Sequence, residues 1–112
     1  MEDTLHIAEI PYDTGELRFR YARKLSPDGT KWIREGLFFE YSRSGGILSE
    51  GEYIDGLETG IWRDYFESGQ IAAEGSYEDG KEEGLWHFWN EDGTPEETVM
   101  FRSGVRASHR GG

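Results

Sequence analysis

Cysteine is absent from the 112 residues, which removes disulfide frameworks and thiolate metal sites from consideration. Aliphatic side chains are scarce: 35% of the residues are hydrophobic and the mean hydropathy is -0.77. No apolar run approaches the roughly 20 residues of a membrane-spanning helix. The opening residues Met1-Glu2-Asp3-Thr4-Leu5-His6 lack the basic start and apolar stretch of a secretory signal, so a cytosolic protein is expected. Basic residues are nearly missing from 49–97, where Arg63 and Lys81 stand against fifteen acidic groups for a local charge of -13. That surface repels nucleic-acid backbones and anionic bilayers and attracts basic proteins.

What the chain does have is glycine, at 16 positions, and aromatic rings, at 14%. Disordered chains are poor in aromatics, and interior glycines cost a helix about 1 kcal/mol each. Short strands joined by glycine turns around an aromatic core fit this composition, in one domain. The overall charge of -11 is uneven, with +3 over residues 16–43 against the acidic sector that follows.

A 24-residue period organises the second two thirds of the chain. Gly36, Gly60 and Gly84 keep register with Phe38, Trp62 and Trp86, then Tyr41, Tyr65 and Trp89, then Gly45, Gly69 and Gly93. The columns continue through Tyr53, Tyr77 and Phe101 and through Gly56, Gly80 and Gly104, while Gly51 and Gly75 meet Val99 in the third copy. Such a period marks a stacked array, for which three units are about the minimum. Within one unit, runs of strand length at 62–66 and 70–77 flank Glu67-Ser68-Gly69 and end at Glu78-Asp79-Gly80. This predicts one β-hairpin per repeat, with Asp28-Gly29, Asp55-Gly56, Asp79-Gly80 and Asp92-Gly93 at turns. The expected fold is all-β, a single-layer antiparallel meander of hairpins. Residues 1–35 form degenerate capping repeats, 36–59, 60–83 and 84–106 are full repeats, and 107–112 are a flexible tail. The small residues Ala73, Gly75 and Gly51 are expected to lie under rings from neighbouring strands, with Phe38, Trp62 and Trp86 as a ladder.

The string Gly-x-Trp-x-x-Tyr-x-x-x-Gly-x-x-x-x-Glu-Gly-x-Tyr-x-x-Gly, seen at 60–80, resembles the MORN repeat. More narrowly it is similar to the bacterial MORN variant of small antitoxin or immunity proteins. The first copy departs with Phe38 for Trp, the last with Thr98 and Val99 for the Glu-Gly pair. The resemblance implies a hairpin-repeat fold and leaves function open among scaffolds, membrane-associated proteins and toxin neutralisers. A second resemblance, to the ring-lined repeats of choline-binding cell-wall modules, implies a secretion signal, which the opening residues do not supply.

Catalytic signals are weak. His6 and His109 fall in expected tails, and His87 occupies a column filled by Phe39 and Arg63 in the sister copies, as a variable sheet position would. Glu82-Glu83 and Glu96-Glu97 are two of many carboxylate pairs, and no Ca²⁺-loop spacing or phosphate-cradling glycine loop is present. Neither a metal nor a cofactor is expected, and the protein is read as a non-enzyme. Glu50 and Glu74 share a column, which predicts a common structural role such as an edge or turn hydrogen bond.

Recognition remains. Strand alternation puts Ile61, Arg63 and Tyr65 opposite Trp62, Asp64 and Phe66, so both faces carry rings. The expected partner-binding residues are Tyr41, Glu50, Glu52, Trp62, Asp64, Tyr65, Phe66, Glu74, Trp86 and Trp89, aromatic anchors among carboxylates facing a basic protein. The leading expectation is an acidic immunity or antitoxin protein that occludes a toxin's basic active site. The alternative is a self-associating scaffold, with membrane docking through Arg18, Arg20, Arg23 and Lys24 third.

Overall fold

The computed structural model describes residues 4–107. Nine strands form one antiparallel sheet whose spatial order is the chain order. They are β1 (His6–Pro11), β2 (Leu17–Leu25), β3 (Trp32–Tyr41), β4 (Ile47–Ile54), β5 (Leu57–Tyr65), β6 (Ile71–Glu78), β7 (Lys81–Trp89), β8 (Pro95–Arg102) and β9 (Val105–Arg106). The meander is therefore as expected. His6 is a correction: it lies in β1, paired with Arg23 and tilted against the Trp32 ring at 5.0 Å, where the edge strand gains a partner that a tail would lack. Of the tail expected at 107–112, Ala107 donates its N–H to the Met100 carbonyl at 2.7 Å and so extends the sheet, and 108–112, with His109, lie outside the described residues.

Two turn types alternate. Asp55-Gly56 and Asp79-Gly80 both have positive φ, at 50° and 82° and at 52° and 80°, the type I′ geometry that matches strand twist and that Asp-Gly adopts readily. Each glycine N–H also donates backwards, from Gly56 to the Arg34 carbonyl at 2.9 Å and from Gly80 to that of Glu58 at 3.0 Å, stitching the turn to the start of the preceding repeat. The other turns are five-residue loops closed at both ends, as in Phe66 N–H to Gln70 O at 2.8 Å and Gly69 N–H to Phe66 O at 2.9 Å. The loop at Tyr12–Glu16 has the same two bonds. Hence β1 and β2 are a hairpin of the same kind as β3–β4, β5–β6 and β7–β8. Between Leu25 and Trp32, which pair directly, stands a six-residue loop, Ser26–Lys31, in place of a two-residue turn.

One face of the sheet holds the core. Phe38, Tyr53, Trp62, Tyr77, Trp86 and Phe101 follow one another edge to face, with centroids 5.1–6.1 Å apart and interplanar angles of 70–89°. This is the favourable arrangement of ring quadrupoles, and each buried ring contributes about 2–3 kcal/mol from its area. The expected ladder of Phe38, Trp62 and Trp86 is half of it; the intervening strands supply Tyr53 and Tyr77 between its members. Their glycines supply the floor. A Cβ on Gly51 would sit 2.0 Å from the Trp62 ring, and one on Gly75 2.0 Å from the Trp86 ring. Each indole thus lies flat on the backbone of the preceding strand, and its N–H donates to a carbonyl there, Glu52 at 3.2 Å and Ser76 at 3.1 Å.

The departures at the two ends follow from this packing. On β2, Tyr21 stands where Gly51 and Gly75 stand on β4 and β6, directly opposite Phe38. A ring at the glycine position leaves no floor for an indole, and the smaller Phe38 stacks on Tyr21 at 5.9 Å instead. Val99, at the same position on β8, carries a side chain because no described strand lays an indole across it.

Candidate functional site

A bulge recurs at the start of each first strand and sets which side chains reach which face. In β5, Glu50 pairs with Arg63 and Glu52 with Thr59, so two extra residues are accommodated around Gly60, whose φ is 68°. The same shift occurs in β3 at Gly36 and in β7 at Gly84. Beyond the bulge, alternation sends Trp62 and Asp64 to the ring face and Ile61, Arg63 and Tyr65 to the opposite, open face.

The ten expected binding residues divide accordingly. Trp62 and Trp86 are core, 7% and 5% exposed, and this is a correction: the glycine floor draws the indoles under their neighbours, so they cannot anchor a partner directly. Asp64 lies on the ring face, bonded by the Ser49 hydroxyl at 2.8 Å, and Phe66 opens the loop after β5. The structure therefore does not bring these four together with the other six. Tyr41, Glu50, Glu52, Tyr65, Glu74 and Trp89 share the open face.

Across the middle of that face run Arg20, Phe39, Glu50, Arg63, Glu74, His87 and Thr98 in register. The Arg63 Nε donates to Glu74 at 2.6 Å, and the Tyr65 hydroxyl donates to Glu50. Glu50 and Glu74 are thus bonded to side chains of the strand between them and not to an edge or turn as expected. The bond to Glu74 raises the Arg63 pKa further, and the Tyr65 hydroxyl is pushed up to about 12 by burial and by its bond to Glu50. His87 meets Thr98 at 3.2 Å and lies beside the Trp89 ring at 6.0 Å, a sheet-surface position where no carboxylate among the described residues is hydrogen-bonded to it. Among the described residues no group of three or more metal-ligating side chains converges.

Next to this polar row runs an apolar one that the sequence reading passed over. Leu37, Ile61 and Leu85 are 59%, 56% and 52% exposed and occupy one repeat column. The signal was in the period itself, one position before the ring column, and alternation had already put Ile61 on this face. Exposed Ile7 and Met100 extend the stripe at either end. Between β1 and β4 the face is hollowed by a concavity of about 410 Å³ lined by Ile7, Leu37, Phe39, Tyr41 and Glu52.

The arginine-rich segment near the other end is split by the same alternation. Arg18 pairs with Glu40 at 3.3 Å, Arg20 with Glu9 at 3.8 Å, and Lys24 with Asp55 and Glu35 at 2.6 and 3.3 Å. Arg23 points to the ring face and joins no ion pair among the described residues. The four cations expected as a membrane patch do not form one.

Residues 34–55 and 58–79 match the MORN repeat variant. The third copy, 84–106, lies beyond the matched segments and is also where Thr98 and Val99 replace the Glu-Gly pair. No protein of established function matches the chain. MORN repeats serve as binding and scaffold modules. Two stretches of the chain are therefore similar to the MORN repeat variant, and the second lays its indole, Trp62, on the Gly51 backbone of the first.

Proposed function

We propose that this protein binds a basic protein partner through its open face, as an immunity or antitoxin protein would when it covers a toxin's basic active site. The observation that carries the reading is the exposed stripe of Leu37, Ile61 and Leu85 running beside Glu50, Glu52 and Glu74. A soluble chain has no internal use for three aliphatic side chains in the open, whereas a partner surface gains from covering them. The half-buried rings of Tyr41, Tyr65 and Trp89 border the same strip and offer rigid contact area. The charge of -13 over 49–97 accelerates encounter with a cationic surface and discriminates against acidic ones.

The test is calorimetric titration against the product of the neighbouring gene across a salt series. Tight one-to-one binding that weakens with salt, and that Ile61→Asp reduces at least tenfold without lowering the melting temperature, is the expected result. No binding, or binding indifferent to both salt and Ile61→Asp, overturns it. A scaffold reading draws on a different observation: β1 is an edge strand, and among the described residues β8 is covered only from Met100 to Arg102, by β9 and the Ala107 N–H, leaving main-chain groups open to a second copy. Light scattering separates the readings, since concentration-dependent growth without a partner supports the scaffold.

A further inference from the structure

On the ring face at the β1 end lies a feature of opposite sign that the binding reading does not use. Arg23 and Arg34 are directly paired across β2 and β3, where like charges destabilise a sheet. The structurally equivalent pairs in the next repeats are Tyr53 with Glu58 and Tyr77 with Glu82. Glu58 and Glu82 also lie one and two periods on from Arg34 in sequence, so the first unit replaces a carboxylate with a guanidinium beside another guanidinium. Neither arginine, nor Lys31 nearby, forms an ion pair among the described residues, in a chain with 23 acidic residues to offer one.

Rings hold both guanidinium groups in place of carboxylates. Arg23 lies 4.1 Å over Trp32, and its Nε donates to the His6 Nδ1 at 3.3 Å. Arg34 sits 4.9 Å from the Tyr21 centroid, 5.6 Å from that of Phe38 and 5.4 Å from that of Tyr53. Stacked in this way, each group is fixed in plane with N–H donors that no carboxylate takes among the described residues. The Ser26–Lys31 loop, present only in this unit, brings Lys31 to the same place. Together they line a concavity of about 490 Å³ whose single carboxylate, Asp55, is engaged by Lys24 at 2.6 Å.

We propose that this concavity binds the phosphate group of a small soluble molecule. Two forks and an ammonium call for an anion with more than two acceptor oxygens and a charge near -2, which a carboxylate lacks and a phosphate monoester has. The volume falls in the range of small-ligand sites and exceeds what inorganic phosphate fills, so the ligand carries an organic body against Trp32 and Tyr21. A nucleic-acid strand or an anionic bilayer extends beyond the patch into the acidic repeats, which repel it.

The experiment is NMR titration of the full chain with inorganic phosphate, a nucleoside monophosphate and sodium acetate, following the Arg23 and Arg34 Nε–H and Trp32 indole N–H signals. Flotation with phosphoinositide-containing vesicles runs alongside. Saturable shifts at those three groups are expected, tighter for the nucleoside monophosphate than for phosphate and absent for acetate. Arg34→Glu, which restores the residue of the sister repeats, is expected to weaken binding more than tenfold with the melting temperature unchanged or raised. No saturable shift, shifts that survive Arg34→Glu, acetate binding equal to phosphate, or vesicle binding alone would each overturn the assignment. Arg34→Glu with a lowered melting temperature and no phosphate shift in the parent makes the arginine pair structural.

Discussion

Glycine does two unrelated jobs in this chain, and the difference is measurable residue by residue. At Gly75 the backbone is extended and the requirement is space, because an added Cβ meets Trp86 at 2.0 Å. At Gly84 nothing lies within 4 Å, and the requirement is conformation, with φ at 84°. Gly75→Ala is expected to cost about 3 kcal/mol, since the indole must lift from its floor, and Gly84→Ala about 1–2 kcal/mol from the left-handed backbone alone. Pairing Gly75→Ala with Trp86→Phe reproduces the Tyr21–Phe38 solution and should recover at least 1 kcal/mol by double-mutant cycle in urea. Strict additivity would mean that the ring does not rest on that glycine. Tyr77 offers a pH readout of the same ladder. Its hydroxyl is pushed up to about 12, by burial first and then by Glu82 and Glu58. A raised pKa means the folded state holds the proton more firmly, so the stability it contributes is complete below about pH 10 and lost as pH rises through about 12. Urea midpoints at pH 9 and pH 11.5 should fall further for the parent than for Tyr77→Phe; equal losses would place the alkaline sensitivity elsewhere.

Hairpins were readable because each turn has a local chemical cause. Asp-Gly takes the I′ geometry where two residues join the strands, at Asp55-Gly56 and Asp79-Gly80, whereas in the longer loops only the glycine of Asp28-Gly29 and Asp92-Gly93 turns left-handed, and Gly69 or Gly93 closes its loop through bonds spanning four residues. Register across the first unit was harder to read: Gly15 precedes Gly45 by 30 positions and not 24, because eight residues, the Leu25–Trp32 pair and the Ser26–Lys31 loop between them, stand between Lys24 and Ile33 where two stand between Ile54 and Leu57. An insertion inside a turn leaves the sheet untouched yet erases the period. The loop is internally closed, with the Asp28 carboxylate accepting from the Ser26 hydroxyl at 2.6 Å and the Thr30 N–H at 3.1 Å. Those bonds hold the Asp28 pKa down at about 2, so the loop keeps its order until pH falls through that value. Interleaving of Tyr53 and Tyr77 between the indoles was illegible for another reason, since it depends on how far rings lean across a strand and not on column spacing. Of the open-face candidates Tyr65 followed from alternation, whereas the face of Glu50, Glu52 and Glu74 depended on how their strands pair with β5, and assigning Trp62 and Trp86 required knowing which face has the glycine floor. Removing Ser26–Lys31 while making Leu25→Asp and Trp32→Gly restores a two-residue turn. Because loop closure depends only weakly on length, the far-UV spectrum and melting temperature should remain close to those of the parent. A lost β spectrum would show the loop to be part of the fold and not an addition to it.

The molecule as a whole is a row of like units, 54 Å long and 21 Å thin, in which each strand packs chiefly on its sequence neighbours. Stability in such an array is close to a sum of unit and interface contributions, so the effect of losing a ring depends on where the ring stands. Trp62 bridges the units on either side, touching Phe38 at 5.6 Å, Tyr53 at 5.2 Å and Tyr77 at 5.9 Å. Trp86 bridges Tyr77 and the terminal Phe101. Both truncations to Ala should cost about 3–5 kcal/mol locally, a large share of the 5–15 kcal/mol that usually separates folded from unfolded domains. Their consequences differ in extent. Trp86→Ala releases β7 to β9 while β2 to β5 stay protected, because the Phe38–Tyr53–Trp62 stretch survives intact. Trp62→Ala divides the ladder at its middle, separating Phe38–Tyr53 from Tyr77–Trp86–Phe101, and protection should fall in both halves, furthest in β4 to β6 on either side of the lost ring. Amide hydrogen exchange resolved by strand distinguishes the two patterns. Uniform loss of protection in Trp86→Ala would show that the sheet folds as a single cooperative unit, and position in the array would then have no bearing on the cost of losing a ring.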